Sequence, residues 1–480
     1  METNNLKNKV FSGISWKFGE RIITQGIAFI ISTILARILM PELYGTVALV
    51  LIFINLANVF ISEGFGEALI RNKDSDDVDF STMFYCGLGI AILLYFILFF
   101  TAPMIAGFYK NDELILVLRV LALQLPLSSV KTIQYAYVQK NLLFKKFFFS
   151  TLGGTIVSGV IGIIMALKGA GVWALVEQYL VNSVVDMMVL FFTVSWRPKL
   201  LFSMQAAKKQ LSYGWKLVAA SFINQLYSEI RSLIIGKKYS PSDLAYYQKG
   251  EHFPSLIITN INTSISAVMF PAMALVNDDM NRLKNMTRRA MQTTSYIIFP
   301  MLAGLIAVAD PLIRILLTDK WLPCVPFLQL GCLYWVFQPI QTANYQAIKA
   351  VGRSDICLKL ELIKKTIGVF LILISLRFGV YAIALSGVIM SGISMLLNIM
   401  PNKKLIGYGY MEQCKDILPA TILSIFMGVC VYMITFFNIS DFILLPIQVI
   451  VGGVVYILFS KIFKLESYIY ILDFIKSKGF

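Results

Sequence analysis

Ser128-Ser129-Val130-Lys131-Thr132-Ile133-Gln134-Tyr135 is answered 210 positions later by Gln338-Pro339-Ile340-Gln341-Thr342-Ala343-Asn344-Tyr345. In the first octet Ser128, Lys131, Thr132 and Tyr135 are polar; in the second, Gln338, Gln341, Thr342 and Tyr345. Both sets keep i, i+3, i+4, i+7 spacing, which puts each on one face of a helix. The correspondence extends outward. Gly13, Trp16 and Lys17, then Pro41, Leu43 and Tyr44, match Gly214, Trp215 and Lys216, then Pro241, Leu244 and Tyr246. Ala102-Pro103-Met104-Ile105 matches Asp310-Pro311-Leu312-Ile313. Charged, polar and proline positions agree as well as apolar ones, so composition alone does not account for the match. The spacing predicts a chain built as two similar halves.

Around these segments the chain is 58% hydrophobic and 14% charged over 480 residues, with a mean hydropathy of +0.74. Soluble domains carry about a quarter charged residues, so this composition predicts an all-α integral membrane protein. A spanning helix takes about 20 residues. Uncharged runs predict fourteen spans: 16–38, 43–62, 81–108, 114–138, 147–167, 171–194, 215–235, 254–276, 291–317, 321–348, 360–377, 379–401, 417–439 and 442–460. Span 11 is the weakest, because Lys364 and Lys365 must snorkel. Six spans separate corresponding elements, so the halves run in the same sense across the membrane, as a parallel repeat about an axis along the membrane normal. The expected organisation is an N-lobe at 1–195 and a cytoplasmic linker at 196–213. A C-lobe at 214–402 follows, and residues 403–480 hold spans 13 and 14 and an interfacial tail. Two six-helix lobes facing a central cleft is a transporter plan.

The net charge is +15. With the N-terminus inside, the inner segments carry 27 Lys and Arg and the outer loops 8, the positive-inside pattern, which puts both termini in the cytoplasm. No aromatic-interleaved basic tract of the nucleic-acid-binding kind occurs. One histidine, His252, makes a His-based zinc site or triad improbable. Cys86, Cys324, Cys332, Cys357, Cys414 and Cys430 form no CxxC pair and read as packing residues. Asp74-Ser75-Asp76 is a DxD in a loop too short for a nucleotide-sugar fold. P-loop, GxSxG and HExxH motifs are absent, so the reading is a transporter without a cofactor rather than an enzyme.

Seven basic residues fall inside predicted spans: Lys17, Arg21, Arg119, Lys131, Lys216, Arg231 and Arg314. Each costs about 2.5–3.5 kcal/mol at a helix centre unless it is paired, faces water or snorkels. On span 1, Lys17, Arg21, Thr24, Gln25, Ala28 and Ser32 share a face, with Glu20 at its edge; on span 7, Lys216, Asn224, Tyr227 and Arg231 do the same. Such stripes make a positive cleft suited to an anion, with guanidinium groups matching phosphate oxygens. Lys17, Arg21, Lys216 and Arg231 are therefore the candidate anion ligands. Thr24, Gln25, Asn224 and Tyr227, with the octet stripes of spans 4 and 10, are candidate hydrogen-bonding groups for sugar hydroxyls. The bland alternatives are snorkelling for the charges and interhelical glue for the stripes. Glu20, Glu177 and Asp186 are candidate acids for coupling to a proton or sodium ion.

A family likeness then emerges. Trp16, followed by Leu35-Ala36-Arg37-Ile38-Leu39-Met40-Pro41-Glu42-Leu43-Tyr44-Gly45, resembles the opening of polysaccharide flippases. Gly64-Phe65-Gly66, Ala68-Leu69-Ile70 and Val268-Met269-Phe270-Pro271-Ala272 continue the pattern, as do Phe299-Pro300, Asp319-Lys320-Trp321 and Gly352-Arg353. The chain from about 10 to 400 is similar to O-antigen and colanic-acid-type exporters of the multidrug/oligosaccharidyl-lipid/polysaccharide exporter superfamily. The resemblance implies a bacterial plasma-membrane flippase that carries undecaprenyl-diphosphate-linked oligosaccharide from the inner to the outer leaflet by alternating access, driven by an ion gradient or membrane potential. It also implies a groove for the polyprenyl tail at spans 13 and 14. Expected partners are that lipid-linked oligosaccharide and membrane lipid, with polysaccharide polymerase and chain-length machinery as further candidates. The competing readings are a drug/cation antiporter of the same superfamily and a membrane-embedded glycan polymerase or transferase.

Overall fold

In hydrocarbon no water is present to bond an open backbone, so long apolar segments must close their hydrogen bonds internally as helices. A computed structural model describes residues 2–63, 66, 69, 75–276, 278–437 and 439–477, those before Trp16 by backbone alone. Gly64, Phe65, Ala68, Ile70 and Asp74 lie outside the described residues, as do the side chains of Lys17 and Val268.

The α-helices begin with α1 (Glu2–Ile38), α2 (Pro41–Ser62), α3 (Asp77–Tyr109), α4 (Glu113–Leu121) and α5 (Gln124–Lys140). Next are α6 (Phe144–Leu167), α7 (Val172–Thr193), α8 (Met204–Lys238) and α9 (Pro241–Ala274). They continue as α10 (Met280–Ala307), α11 (Ala309–Leu317), α12 (Val325–Trp335), α13 (Gln338–Ala350) and α14 (Ser354–Ser375). The last are α15 (Val380–Leu405), α16 (Tyr410–Met433), α17 (Asp441–Ile462) and α18 (Glu466–Ser477). The ends follow local chemistry. Pro41 opens α2, where a missing N–H costs nothing. The Asp76, Ser203 and Asp279 side chains accept from Asp79 N (2.9 Å), Ala206 N (3.3 Å) and Arg282 N (3.0 Å) to start α3, α8 and α10.

This is an all-α, multi-pass membrane fold. Among the described residues ten helical segments are long and apolar enough to cross a membrane. The other four expected spans fall on α8, α9, the α12–α13 pair and α14, which hold more polar residues or a break. Spans 4 and 10 are each interrupted. The chain breaks between α4 and α5 just before Pro126, and between α12 and α13 just before Pro339. A proline fits the first turn of the new helix but cannot continue the old one. The same break in both halves supports their common origin. On α3, Leu93, Phe96, Phe100, Met104 and Phe108 form an exposed stripe. That would be a liability in water and is the natural lipid face of a spanning helix.

The residues fall into two compact units, Met1–Ala245 and Tyr246–Phe480. In the first, α6 and α7 form a hairpin, α1 packs on α6, and α8 packs on α2 and α3. Close approach rests on small residues. A Cβ at Gly159 would lie 2.1 Å from Ile31 Cδ1, and one at Gly154 would lie 3.1 Å from the Asn182 carbonyl. In the second unit α16 packs on α10, and α17 packs on α16 and α11. Trp321 and Tyr408 are fully buried. The hydroxyl of Tyr296 donates to Ser460 Oγ (2.9 Å), and that of Tyr456 to the Tyr296 carbonyl (2.8 Å). The tail helix α18 lies against α10 with Ile469 and Tyr470 exposed.

Candidate functional site

The octet stripe of span 4 meets an acid. Asp186 on α7 is 4% exposed. Its Oδ2 accepts from Lys131 Nζ at 3.1 Å and from the Tyr135 hydroxyl at 2.7 Å, both on α5. Its Oδ1 accepts from the Ser150 hydroxyl on α6. The Tyr135 ring stacks on Phe147, with centroids 4.1 Å apart. Beside Ser150, the Thr151 hydroxyl donates to Glu20 Oε1 on α1 at 3.1 Å. Four helices therefore converge on a cluster in which the Lys131 ammonium pairs with Asp186 and Glu20 is tied in through Thr151. Glu177 lies nine residues from Asp186 on α7, about 14 Å along the axis, and is half-buried.

Sequence reasoning named Lys131, Tyr135, Asp186 and Glu20 but put them in separate roles. It missed Ser150 and Thr151. A signal was present: Ser150, Gly154, Ser158, Gly162 and Ala166 recur every fourth residue along span 5, a small-residue face of the kind that seats a neighbouring helix. Of the rest of the stripe, Thr132 donates to the Ser128 carbonyl of its own helix at 2.8 Å.

The second unit uses its stripe similarly. Gln341 Nε2 on α13 donates to the carbonyl and the hydroxyl of Ser391 on α15, both at 3.0 Å. Asn262 Nδ2 on α9 donates to Thr342 Oγ1 at 2.9 Å. Tyr345 lies beneath Lys349 and Lys364, whose Nζ atoms are 4.8 and 5.4 Å from its centroid. Gln338 is half-buried. The α5–α7 and α13–α15 links join equivalent helices of the two halves, one through an ion pair and the other through neutral groups. Further along, the buried amides of Asn344, Asn402 and Gln413 bond one another at 2.8–2.9 Å; none was anticipated. Gly352, at φ 81°, turns the chain after α13. Arg353 then grips Asp355 through two bonds of 2.8 Å, and that hydrogen bonding pulls the Asp355 carboxyl down to about 2.

The basic residues in predicted spans separate into classes. Arg119 Nε donates to the Phe99 carbonyl (3.2 Å), with its guanidinium 4.3 Å from that ring. Arg314 pairs with Asp310 and Asp319, both at 2.7 Å. Lys131 is held by Asp186. Lys216 and Asn224 are exposed, while Tyr227, Arg21, Thr24 and Gln25 are half-buried. The Thr24 hydroxyl is buried without a hydrogen-bond partner among the described residues. Arg231 differs from all of these. It is 8% exposed, its Nε is buried and unbonded, and it makes no ion pair among the described residues. A buried guanidinium without an anion is a costly arrangement.

The family model described as "Polysaccharide biosynthesis protein" matches residues 34–326. The chain is 24% identical over 441 residues to the lipopolysaccharide biosynthesis protein WzxC of Escherichia coli (strain K12), spanning 88% of this chain and 89% of that one. It is 26% identical over 305 residues to the teichuronic acid biosynthesis protein TuaB of Bacillus subtilis (strain 168), spanning 62% of each. In fold it is similar to the lipid II flippase MurJ in an inward closed conformation, with a TM-score of 0.76, 19% identity, and coverage of 94% of this chain and 98% of that one. It is also similar to an inward-facing multidrug resistance MATE family transporter, with a TM-score of 0.62, 14% identity, and coverage of 80% and 94%.

Proposed function

Because this chain belongs to the polysaccharide biosynthesis protein family, within the superfamily of polysaccharide and lipid-linked oligosaccharide flippases and related transporters, we propose that it flips an undecaprenyl-diphosphate-linked oligosaccharide. It is a transporter and not an enzyme. The cargo moves from the inner to the outer leaflet of the bacterial inner membrane, for surface polysaccharide assembly. The observation that carries this reading is Arg231, a buried guanidinium on α8 with no ion-pair partner among the described residues. An arriving diphosphate supplies the missing charge, and Arg21 on α1 and Lys216 on α8 add to the attraction. Sugar hydroxyls then meet Thr24, Gln25, Asn224 and Tyr227.

We count the ten apolar segments, α8, α9, the α12–α13 pair and α14 as fourteen crossings, with both ends in the cytoplasm. Residues 1–195 and 214–402 act as the two lobes, and 196–213 joins them. Residues 403–480 add spans 13 and 14 and the tail. Glu20 and Asp186, brought to adjacent hydroxyls of α6, are the acids we assign to coupling with the driving ion.

Arg231→Ala should reduce export by about 10- to 100-fold, the loss of roughly 1.5–3 kcal/mol of charged hydrogen bonding. Arg21→Ala should impair export at unchanged protein level. The measurement is lipid-linked oligosaccharide in the inner leaflet of a deletion strain carrying each variant. Wild-type export from Arg231→Ala would remove the diphosphate reading. Drug efflux with no accumulation of lipid-linked sugar would favour the antiporter, and chain extension by the purified protein the polymerase. For topology, cysteine at 243 in a background lacking the native thiols should react with an impermeant reagent from outside, and cysteine at 285 should not. Reversed labelling would invert the orientation.

A further inference from the structure

At the end of the second unit where α10 begins, the tail helix α18 leaves a cavity of about 440 Å³ against α10. That volume lies within the usual range for small-ligand sites. We propose that it binds the zwitterionic headgroup of an aminophospholipid, with the phosphate on Arg289 and the primary ammonium on Asp473 and Glu466.

The charges in the wall suggest this ligand. Arg288, which also faces the cavity, is engaged by Asp416 at 2.7 Å and more distantly by Glu466 at 3.5 Å. Its neighbour Arg289 lies over the Tyr470 ring, 5.6 Å from the centroid, and makes no ion pair among the described residues. Asp473, one turn beyond Tyr470 on α18, likewise makes none. One guanidinium and one carboxylate thus face the same cavity without being paired to each other. A simple anion would satisfy Arg289 and be repelled by Asp473 and Glu466. A phosphate joined by two carbons to an ammonium satisfies both sides. Guanidinium binds phosphate in a bidentate way, and a primary ammonium offers three donors to carboxylates.

The setting favours a lipid over a soluble zwitterion. The chain of α10 beyond Thr293 runs into its apolar stretch, and α18 leaves Ile469 and Tyr470 43% and 46% exposed. An amphipathic helix with exposed Tyr and Ile sits at headgroup level. A second cavity of about 190 Å³ shares Arg288, Gln292 and Glu466 and continues to Pro419, Ala420 and Leu465. That wall suits a glycerol backbone and the first methylenes of an acyl chain.

The experiment is native mass spectrometry of the purified full-length protein with equal amounts of phosphatidylethanolamine, phosphatidylcholine and phosphatidylglycerol. It needs no glycan, so its outcome is independent of the flippase reading. Phosphatidylethanolamine should be retained in preference to both others. Arg289→Ala and Asp473→Asn should each weaken that retention about tenfold, as expected for one charge-assisted contact, while Arg289→Lys retains part of it. Both positions are exposed, and melting temperature provides the check on folding. O-phosphoethanolamine should compete, though more weakly than the lipid. Equal retention of phosphatidylcholine, preference for phosphatidylglycerol, or indifference to both substitutions overturns the proposal. Competition by inorganic phosphate as strong as that by O-phosphoethanolamine would make this an anion site and also overturn it.

Discussion

Lys131→Met should destabilise the first unit by about 3–5 kcal/mol, the range for breaking a buried pair from one side. The side chains of Lys131 and Asp186 are 17% and 6% exposed, so solvent screens little of the charge left behind. The Tyr135 and Ser150 hydroxyls still donate to Asp186, but neutral donors do not cancel a carboxylate in a low-dielectric interior. Removing both charges, as Lys131→Met with Asp186→Asn, should recover much of the loss, because the penalty belongs to the orphaned charge and not to the pair. Thermal unfolding of the four proteins in one detergent closes the cycle. The two single effects should fail to add by at least about 1 kcal/mol. Additive effects, or a Lys131→Met protein as stable as wild type, would show that the ion pair is not formed. The same variants bear on transport, since the cluster joins α1, α5, α6 and α7.

Gly45→Ala should be nearly as damaging, although it adds one carbon. A Cβ at Gly45 would lie 1.8 Å from the Pro241 carbonyl oxygen, 2.4 Å from its carbon and 2.8 Å from its Cα. These are backbone atoms at the start of α9, so no rotamer change relieves the clash, and α2 must move away. Overpacking of this kind costs about 1–3 kcal/mol, and more where backbone opposes backbone. The neighbouring seam is equally tight. A Cβ at Gly236 on α8 would reach Leu49 Cδ2 at 2.3 Å, but a leucine tip can turn aside, so Gly236→Ala should cost less. Gly89→Ala on α3 is the control. Nothing lies within 4 Å of its Cβ, and helix propensity alone should stabilise it by up to about 1 kcal/mol. Melting temperatures should therefore rank Gly89→Ala at or above wild type, Gly236→Ala below it and Gly45→Ala lowest. A Gly45→Ala protein that melts with the Gly89→Ala control would refute the close contact of α2 with α9.

Much of this protein is legible in its residue order. The absence of charge over twenty-residue runs is a local property, and it dictates helices in lipid whatever they pack against. The octet repeat was equally local, and a helix break precedes the octet in each half, although Pro126 and Pro339 do not keep its 210-residue offset. The family likeness rested on short motifs in order and was readable for the same reason. The polar stripes were harder. Spacing shows that Lys131 and Tyr135 share a face but cannot say what that face meets. A helix's rotation and depth are set by the neighbours that pack on it. Asp186 lies 55 residues from Lys131, and no periodicity links the two.

Helix identity, membrane character and twofold internal kinship are thus written in residue order, because apolar run length and periodicity act within a single segment. The partners of the embedded charges are not. Folding is what seats Lys131 on Asp186, locks Arg314 between two aspartates and leaves Arg231 buried without an ion-pair partner among the described residues. It also packs α8 against α2 and α3. Each of these outcomes depends on how small residues such as Gly45, Gly154 and Gly159 let one helix approach another, and that fit is a property of pairs of segments distant in the chain.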